Sequence, residues 1–233
     1  MNIEHSGQSH WIPLSDLMTG MMMVFLLISA AFMMRVEQTT TIVVQEYVQT
    51  KKDLQDALKD EFASDLKKWN AEFLGDMTIR FNDPTLLFQT GSDQLSPKFK
   101  SLLNEFFPRY IALLSEGKFK NSIKEIRIEG HTSSLWTTAV TPDEAYFKNM
   151  ELSQRRSFQV LSYALQIPAV SDNREWIRAR LTSNGYSYSR PINNPDVKLT
   201  DPKNQRVEIR VVANADEKMD MIASAIAREQ SAP

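Results

Sequence analysis

Asp16 is the residue whose position most strongly suggests chemistry, because it is an acid at the start of a long uncharged stretch. From Leu17 to Met34 the sequence has no charged side chain. At about 1.5 Å per residue a helix of that length covers about 27 Å, close to the hydrocarbon thickness of a bilayer. An acid in such a segment is suited to carrying a proton or a small cation. We expect the hydroxyls of its neighbours Ser15 and Thr19 to support that ion path.

A second interpretation of Asp16 is purely structural. An acid in the first turn of a helix is favoured by the unpaired N–H groups and the helix dipole, so Asp16 would act only as a cap. Trp11 suits a membrane interface and Pro13 suits a first helical turn, so we predict a transmembrane helix over residues 11–34 after a short tail over residues 1–10. That tail has no Lys or Arg, which argues against a cleaved signal peptide.

The segment around Asp16 resembles the transmembrane signature of MotB-type stator subunits. It runs Ser15-Asp-Leu-Met-Thr-Gly-Met-Met-Met-Val-Phe-Leu-Leu27. This sequence is similar to that of the ZorB family, the MotB-like subunits of Zorya anti-phage defence systems. The resemblance implies that Asp16 carries H⁺ or Na⁺ with no other cofactor. It also implies a homodimer inside a ring of MotA/ZorA-like multi-helix subunits, in the bacterial inner membrane, with a cytoplasmic N-terminus and a periplasmic C-terminal domain. A flagellar MotB-type stator subunit and a passive membrane-to-wall tether remain the alternatives.

Three short motifs mark a second candidate site. An arginine presents a planar fork that can grip a carboxylate through two hydrogen bonds, but from the residues alone an exposed helix charge is the plainer interpretation of Arg156. We expect His131 to be a turn residue whose ring nitrogens are hydrogen-bonded, and Arg206 to hydrogen-bond to the backbone of a neighbouring loop. The motifs are Glu129-Gly-His-Thr132, Asn149-x-x-Leu152-Ser153-x-x-Arg156 and Asn204-x-Arg206-Val-Glu208-Ile.

Together these motifs resemble the OmpA/MotB peptidoglycan-binding domain. The resemblance implies that Arg156 pairs with the carboxylate of diaminopimelate in a wall peptide. It also implies that Asn149 and Leu152 line the pocket, with Thr132 and Ser133 beside them.

One position departs from that family. Ser133 stands where the family usually has an Asp that binds the diaminopimelate amine. A hydroxyl accepts a hydrogen bond but forms no ion pair, so we expect weaker wall affinity or compensation by Asp143, Glu144 or Glu151.

The elements that must position these residues follow from apolar spacing. An amphipathic helix is predicted over residues 45–73, either lying on the next domain or forming a stalk or plug that pairs with a second copy. Alternating strands and helices follow, with Ser96 and Pro97 beginning a helix that Pro108 should kink or divide. A loop is predicted over residues 135–147. The fold class is α+β, an α/β sandwich with a helical linker over 35–74, an OmpA-like domain over 75–213 and a tail over 214–233.

Composition excludes several classes of function. The net charge is −2 and the pI about 6.0, with no basic stripe, so nucleic acid is not an expected partner. The absence of Cys excludes disulfides and thiolate chemistry. We expect no metal site and no catalytic residues, hence no enzyme, because no nucleophile, zinc or phosphate-loop constellation has suitable spacing.

Overall fold

Helix α1, Trp11–Phe62, is the longest element of the chain. A computed structural model describes residues 11–88, 92–136 and 141–214. The chain divides into two compact units, the first ending at Val48 and the second beginning at Gln49. Within the first unit, residues 15–35 of α1 are exposed and strongly apolar, with a mean hydropathy of 2.2. By length and composition this segment is able to cross a membrane.

The second unit is a five-stranded sheet with helices. Its sheet has the order β1-β2-β5-β3-β4, and all neighbours are antiparallel except β3 and β4, which are parallel. This arrangement confirms the predicted α+β class. The elements are β1 Ala71–Leu74, β2 Thr78–Phe81, α2 Pro84–Leu87, α3 Pro97–Ser115, β3 Ile123–His131, α4 Pro142–Gln166, α5 Arg174–Arg178, β4 Leu181–Gly185 and β5 Arg206–Ala213, with short 3-10 helices at Pro168–Asn173 and Pro202–Asn204.

The sheet has one apolar and one charged face because side chains alternate along each strand. In one row across β2, β5 and β3, Ile79, Ile209 and Ile128 lie side by side, all fully buried. One residue away, Arg80 lies opposite Glu208 on the other face. The apolar face supports the helices, and the charged face carries a network of ion pairs.

Phe106 of α3 is the centre of the core under the apolar face. Its ring lies 5.0 Å from that of Phe62, 5.8 Å from Trp69, 5.7 Å from Phe81 and 4.9 Å from Tyr110. These rings come from α1, the turn after it, β2 and α3. Aromatic contacts of this kind add to the burial of apolar area, so one cluster joins four successive segments.

The helix predicted over residues 45–73 is shorter than expected. It ends at Phe62, and after a run of turns Asn70 adopts a positive φ of 49°, which ends helical geometry. Ala71–Leu74 then forms β1 and pairs with β2. The sheet therefore starts before residue 75, and the boundary predicted there is too late.

The final turns of α1 belong to the second unit. Leu54, Leu58 and Phe62 have no exposed surface, and Arg109 of α3 donates to Glu61 at 2.7 Å and to Asp65 at 2.8 Å. Because this apolar face packs within its own domain, it is not free to pair with a second copy, so the predicted stalk or plug is wrong for these residues.

Three helix predictions can be compared directly with the structure. Ser96 caps α3 by accepting a hydrogen bond from the Phe99 N–H at 3.0 Å, with a proline at the first helical position, as predicted. Pro108 does not divide α3, which is continuous through it. Helix α4 begins within the predicted loop, because Thr141 and Glu144 form a reciprocal capping box.

The predicted tails fall almost wholly outside the described residues. This applies to residues 1–10 and to residues 215–233. Asn214 is described, and its side chain donates to the Asn121 carbonyl at 2.9 Å.

Candidate functional sites

Asp16 lies beyond the first turn of the described part of α1. The described helix begins at Trp11, so the N–H groups of its first turn lie before the acid. The interpretation of Asp16 as a helix cap is therefore wrong. Thr19 donates its hydroxyl proton to the Ser15 carbonyl at 2.8 Å. This bond leaves the lone pairs of the Thr19 hydroxyl available on the face of α1 that carries Asp16, since the two residues are three apart.

A shallow groove runs along α1 beside Asp16. Gly20 lies one turn after the acid, and a side chain built there would meet no atom within 4 Å. The groove therefore leaves room next to the carboxylate for a partner or an ion. Its lining is otherwise apolar and comprises Leu17, Met21, Val24, Phe25 and Ile28.

The second site is built where α4 crosses the ends of β3 and β4. A Cβ on Gly130 would lie 2.3 Å from the Ser153 carbonyl oxygen, and one on Gly185 would lie 2.4 Å from the Gln154 backbone nitrogen. Only glycine allows this contact between helix and sheet backbones. The close approach brings the residues that follow Gly130 next to the buried face of α4.

Ser187 connects the two motifs, and sequence reasoning missed it. Its N–H donates to the Ser153 hydroxyl at 2.9 Å, and its carbonyl accepts from the Thr132 N–H at 2.8 Å. The residue is fully buried with a positive φ of 51°. The one signal for it was its place directly after the Ser183–Tyr186 segment, which marks the end of a strand.

Among the residues predicted to line the pocket, two have a polar group that is buried without a hydrogen bond to the described residues. They are the Thr132 hydroxyl and the Asn149 amide nitrogen, on side chains that are each 2% exposed. Buried polar groups normally have partners, so unsatisfied ones favour a binding role. Leu152 is half-buried nearby on α4.

Arg156 is buried on the same face of α4 as Asn149, two helical turns away. Its Nε donates to the Ser92 carbonyl at 3.1 Å, and its guanidinium lies 4.7 Å from the centre of the Phe88 ring. Among the described residues no carboxylate comes within ion-pair distance of it. Burial lowers the pKa of Arg156 to about 10, while the charge of Asp93 raises it. The outer edge of the fork is thus available for an anion.

Ser133 is buried and already bonded. Its hydroxyl accepts from the Gln205 amide at 3.2 Å. The three acids expected to compensate for it all lie on α4. Glu144 is held in the capping box, Glu151 is about 200° around α4 from Asn149, and Asp143 is an exposed first-turn residue.

Arg206 has the structural role predicted for it. Its guanidinium donates to the Arg190 carbonyl at 2.9 Å, to the Asn204 carbonyl at 3.1 Å and to Glu208 at 2.6 Å. Glu208 also accepts from Arg80 at 2.7 Å. This network closes the loop before β5 onto the charged face of the sheet.

His131 is not the satisfied turn residue expected from the sequence. It ends β3, stacks on Tyr186 at 5.4 Å, and neither ring nitrogen forms a hydrogen bond within the described residues. Glu129 and Glu208 lie 3.7 and 3.6 Å from its Nε2. These three side chains are of metal-ligand type, but two arginines already pair with Glu208. The cluster is best described as a buried ionic network.

Comparison with known proteins identifies the family of the chain. The sequence profile of the OmpA family matches residues 87–206. Zorya protein ZorB of Escherichia coli strain Crooks is 41% identical over 211 residues, covering 89% of each chain. The chain belongs to the ZorB family.

A solved structure with a TM-score above 0.5 shows that the fold of this ZorB-family chain is also found in another protein. A MotB-like protein from Desulfovibrio vulgaris superposes with a TM-score of 0.54 at 23% identity, covering 74% of this chain and 99% of that one. The cell wall anchor of the T6SS from Pseudomonas aeruginosa has a TM-score of 0.46 at 21% identity, covering 67% of this chain and 97% of the other.

Proposed function

We propose that this ZorB-family chain is the stator-type subunit of an ion-driven membrane motor that acts in anti-phage defence. In this proposal Asp16 carries H⁺ or Na⁺, and the C-terminal domain holds the assembly to peptidoglycan from the periplasm. The chain would act as a homodimer within a ring of ZorA-like multi-helix subunits. The family relationship supports the defence role, and the two sites support the division of labour between the units.

The observation that carries the proposal is an acid on an exposed apolar helix face with an open groove beside it. Asp16 lies on an exposed face of the described part of α1, so in this proposal a partner with several helices encloses it. Transfer of one elementary charge across the membrane yields about 2.3 kcal/mol per 100 mV. Protonation that alternates with partner movement would convert that energy into work. Work on a partner requires a fixed point, which a wall anchor supplies.

Arg156 supports the anchor half of the proposal. It is 7% exposed and has no carboxylate partner among the described residues. Burying an unpaired charge is costly, and a carboxylate ligand would offset that cost. The free carboxylate of a diaminopimelate side chain in a wall peptide has the required shape and charge.

Co-sedimentation of the detergent-solubilised full chain with purified sacculi tests the anchor. We expect Arg156→Lys to reduce the bound fraction about tenfold or more, because Lys cannot form the bidentate contact. Arg155→Lys is the matched control, since the neighbouring Arg155 side chain is 58% exposed and should tolerate the change. Equal sedimentation of the Arg156→Lys and unmodified chains would overturn the proposed wall contact.

Two alternatives differ in measurable ways. A flagellar stator would restore motility in a strain that lacks its own stator, whereas a defence subunit would restore protection against phage and not motility. A passive tether would work equally well with a neutral residue at position 16. The relationship to ZorB favours defence over the flagellum.

A further inference from the structure

The side chain of diaminopimelate ends in a carbon atom that carries both an ammonium group and a carboxylate, and this group is called the free amino acid end below. Arg156 can hold only its carboxylate. An acidic side chain is the usual partner for an ammonium group in a half-buried site. Ser133 does not fill this role, because its hydroxyl is buried and bonded to Gln205. A second residue near Arg156 is therefore needed to recognise the whole amino acid end.

We propose that Asp93 binds the ammonium group of the wall-peptide ligand and so sets specificity for a free amino acid end. The inference rests on the proposed wall-binding function. Asp93 directly follows Ser92, whose carbonyl accepts the Arg156 Nε–H at 3.1 Å. The acid and the guanidinium are thus held next to each other by one backbone contact.

The segment that carries Asp93 is fixed at both sides. Phe88 and Leu95 form an isolated antiparallel bridge, and the Gln94 N–H donates to the Ser92 hydroxyl at 3.0 Å. Phe88 is also the ring on which the Arg156 guanidinium lies. The same short segment therefore positions the cation through Phe88 and Ser92 and presents the anion at Asp93.

The Asp93 carboxylate is available to a ligand. Its side chain is 30% exposed, and within the described part of the chain it accepts no hydrogen bond. Its nearest cation is Arg155, whose Nε lies 3.9 Å away, too far for a hydrogen bond. Arg155 also pairs with Glu151 at 3.5 Å, so Arg155 can turn to Glu151 when a ligand takes Asp93.

The electrostatic effect of Asp93 on its neighbour agrees with this geometry. Burial lowers the pKa of Arg156, and Asp93 is the charge that opposes the shift. Opposite charges held close but not in contact match the two charges of an amino acid end, which are separated by one carbon atom. A ligand of this kind would bridge them and satisfy both.

Binding of three synthetic tripeptides to the full chain in detergent tests the inference. The peptides are N-acetyl-L-Ala-γ-D-Glu-X, where X is meso-diaminopimelate, 2-aminopimelate, whose side chain ends without the ammonium, or lysine, whose side chain ends without the carboxylate. For the unmodified chain we expect the diaminopimelate peptide to bind about tenfold more tightly than either analogue, since a charge-assisted hydrogen bond contributes about that factor.

The decisive variant is Asp93→Asn. We expect it to lose the preference for diaminopimelate over 2-aminopimelate while still binding both, whereas Asp93→Glu should retain the preference. Glu151→Gln is the matched control, because it removes the other acid that pairs with Arg155. Thermal unfolding of each variant checks that the fold is intact.

The possible failures are distinguishable. An unchanged preference in Asp93→Asn, with binding abolished in Arg156→Lys, would overturn the role of Asp93 and leave the wall contact standing. Absence of binding by all three peptides to the unmodified chain would overturn both.

Discussion

Arg156 is a buried charge whose burial costs stability. Burial disfavours its charged form and lowers its pKa to about 10, yet the described structure provides no carboxylate to pair with it. A buried charge normally has a partner of opposite charge, and exceptions to this rule are expected at functional sites. The neighbouring Arg155 has the same chemistry but lies on the exposed side of α4. The position around the helix, rather than the residue type, decides which of the two arginines is buried without a carboxylate partner among the described residues.

His131 gives a prediction about pH at the same scale. Burial lowers its pKa below the usual 6.5, and the charge of Arg206 lowers it further. The unfolded chain therefore takes up the proton first, so the free energy of unfolding should fall as the pH drops below about 6.5. Glu208, whose pKa is lowered from 4.5, should contribute its own loss only at more acidic pH.

Thermal unfolding of the full chain between pH 8 and pH 5 measures this effect. His131→Gln should flatten the pH dependence over that interval, because no imidazole remains to be protonated. An equally steep dependence in His131→Gln would contradict the assignment.

At the scale of elements, the contact between α4 and β3 should be sensitive to one methyl group. Gly130→Ala would place a Cβ within 2.3 Å of the Ser153 carbonyl oxygen, so helix and strand must separate. We expect a loss of about 1–3 kcal/mol in the free energy of unfolding, measured with urea. Gly75→Ala is the control, since a Cβ there meets no atom within 4 Å. Equal stability of the two variants would show that the close approach is not required.

The last turns of α1 give a second prediction for an element. Leu58 has no exposed surface, so Leu58→Ala should lower the free energy of unfolding by about 2–5 kcal/mol. The adjacent Lys59 is exposed, and Lys59→Ala should change it by less than about 0.5 kcal/mol. A loss below 1 kcal/mol in Leu58→Ala would restore the idea of a free stalk.

The alternating strands and helices predicted after the amphipathic helix are present, but α4 begins within the loop predicted over residues 135–147. The prediction failed at β1, because the spacing of Leu66, Trp69 and Phe73 fits a helix equally well. Asn70 adopts the positive φ that ends helical geometry there, and its residue type, which favours such a conformation, was the signal that the apolar spacing outweighed.

The site was predicted only in part for a similar reason. Arg156 and Asn149 were identified from sequence motifs. The other three residues are brought near them only by the folding of the chain, and they are Ser187, Phe88 and Asp93. The pairing of β3 with β4 and the approach of α4 at Gly130 bring Ser187 into place. Spacing along one chain does not encode such contacts.

For the whole molecule, the central feature is that one chain carries an acid in a membrane-length helix and an OmpA-family domain. The first unit contains Asp16 and the second contains Arg156. Either feature alone would be consistent with a simple anchor. Their combination predicts that ion movement at one unit is coupled to fixation at the other, so both residues should be required for activity in cells.

The efficiency of phage plating on cells that carry the complete operon with Asp16→Asn tests this claim most directly. We predict that the variant gives no more protection than cells lacking the operon, because Asn cannot gain or lose a proton, while its level in the membrane and its binding to sacculi stay normal. Asp60→Asn, the same change at an exposed position of α1 outside the apolar segment, should protect fully. Full protection by the Asp16→Asn chain would contradict the account and leave a passive tether.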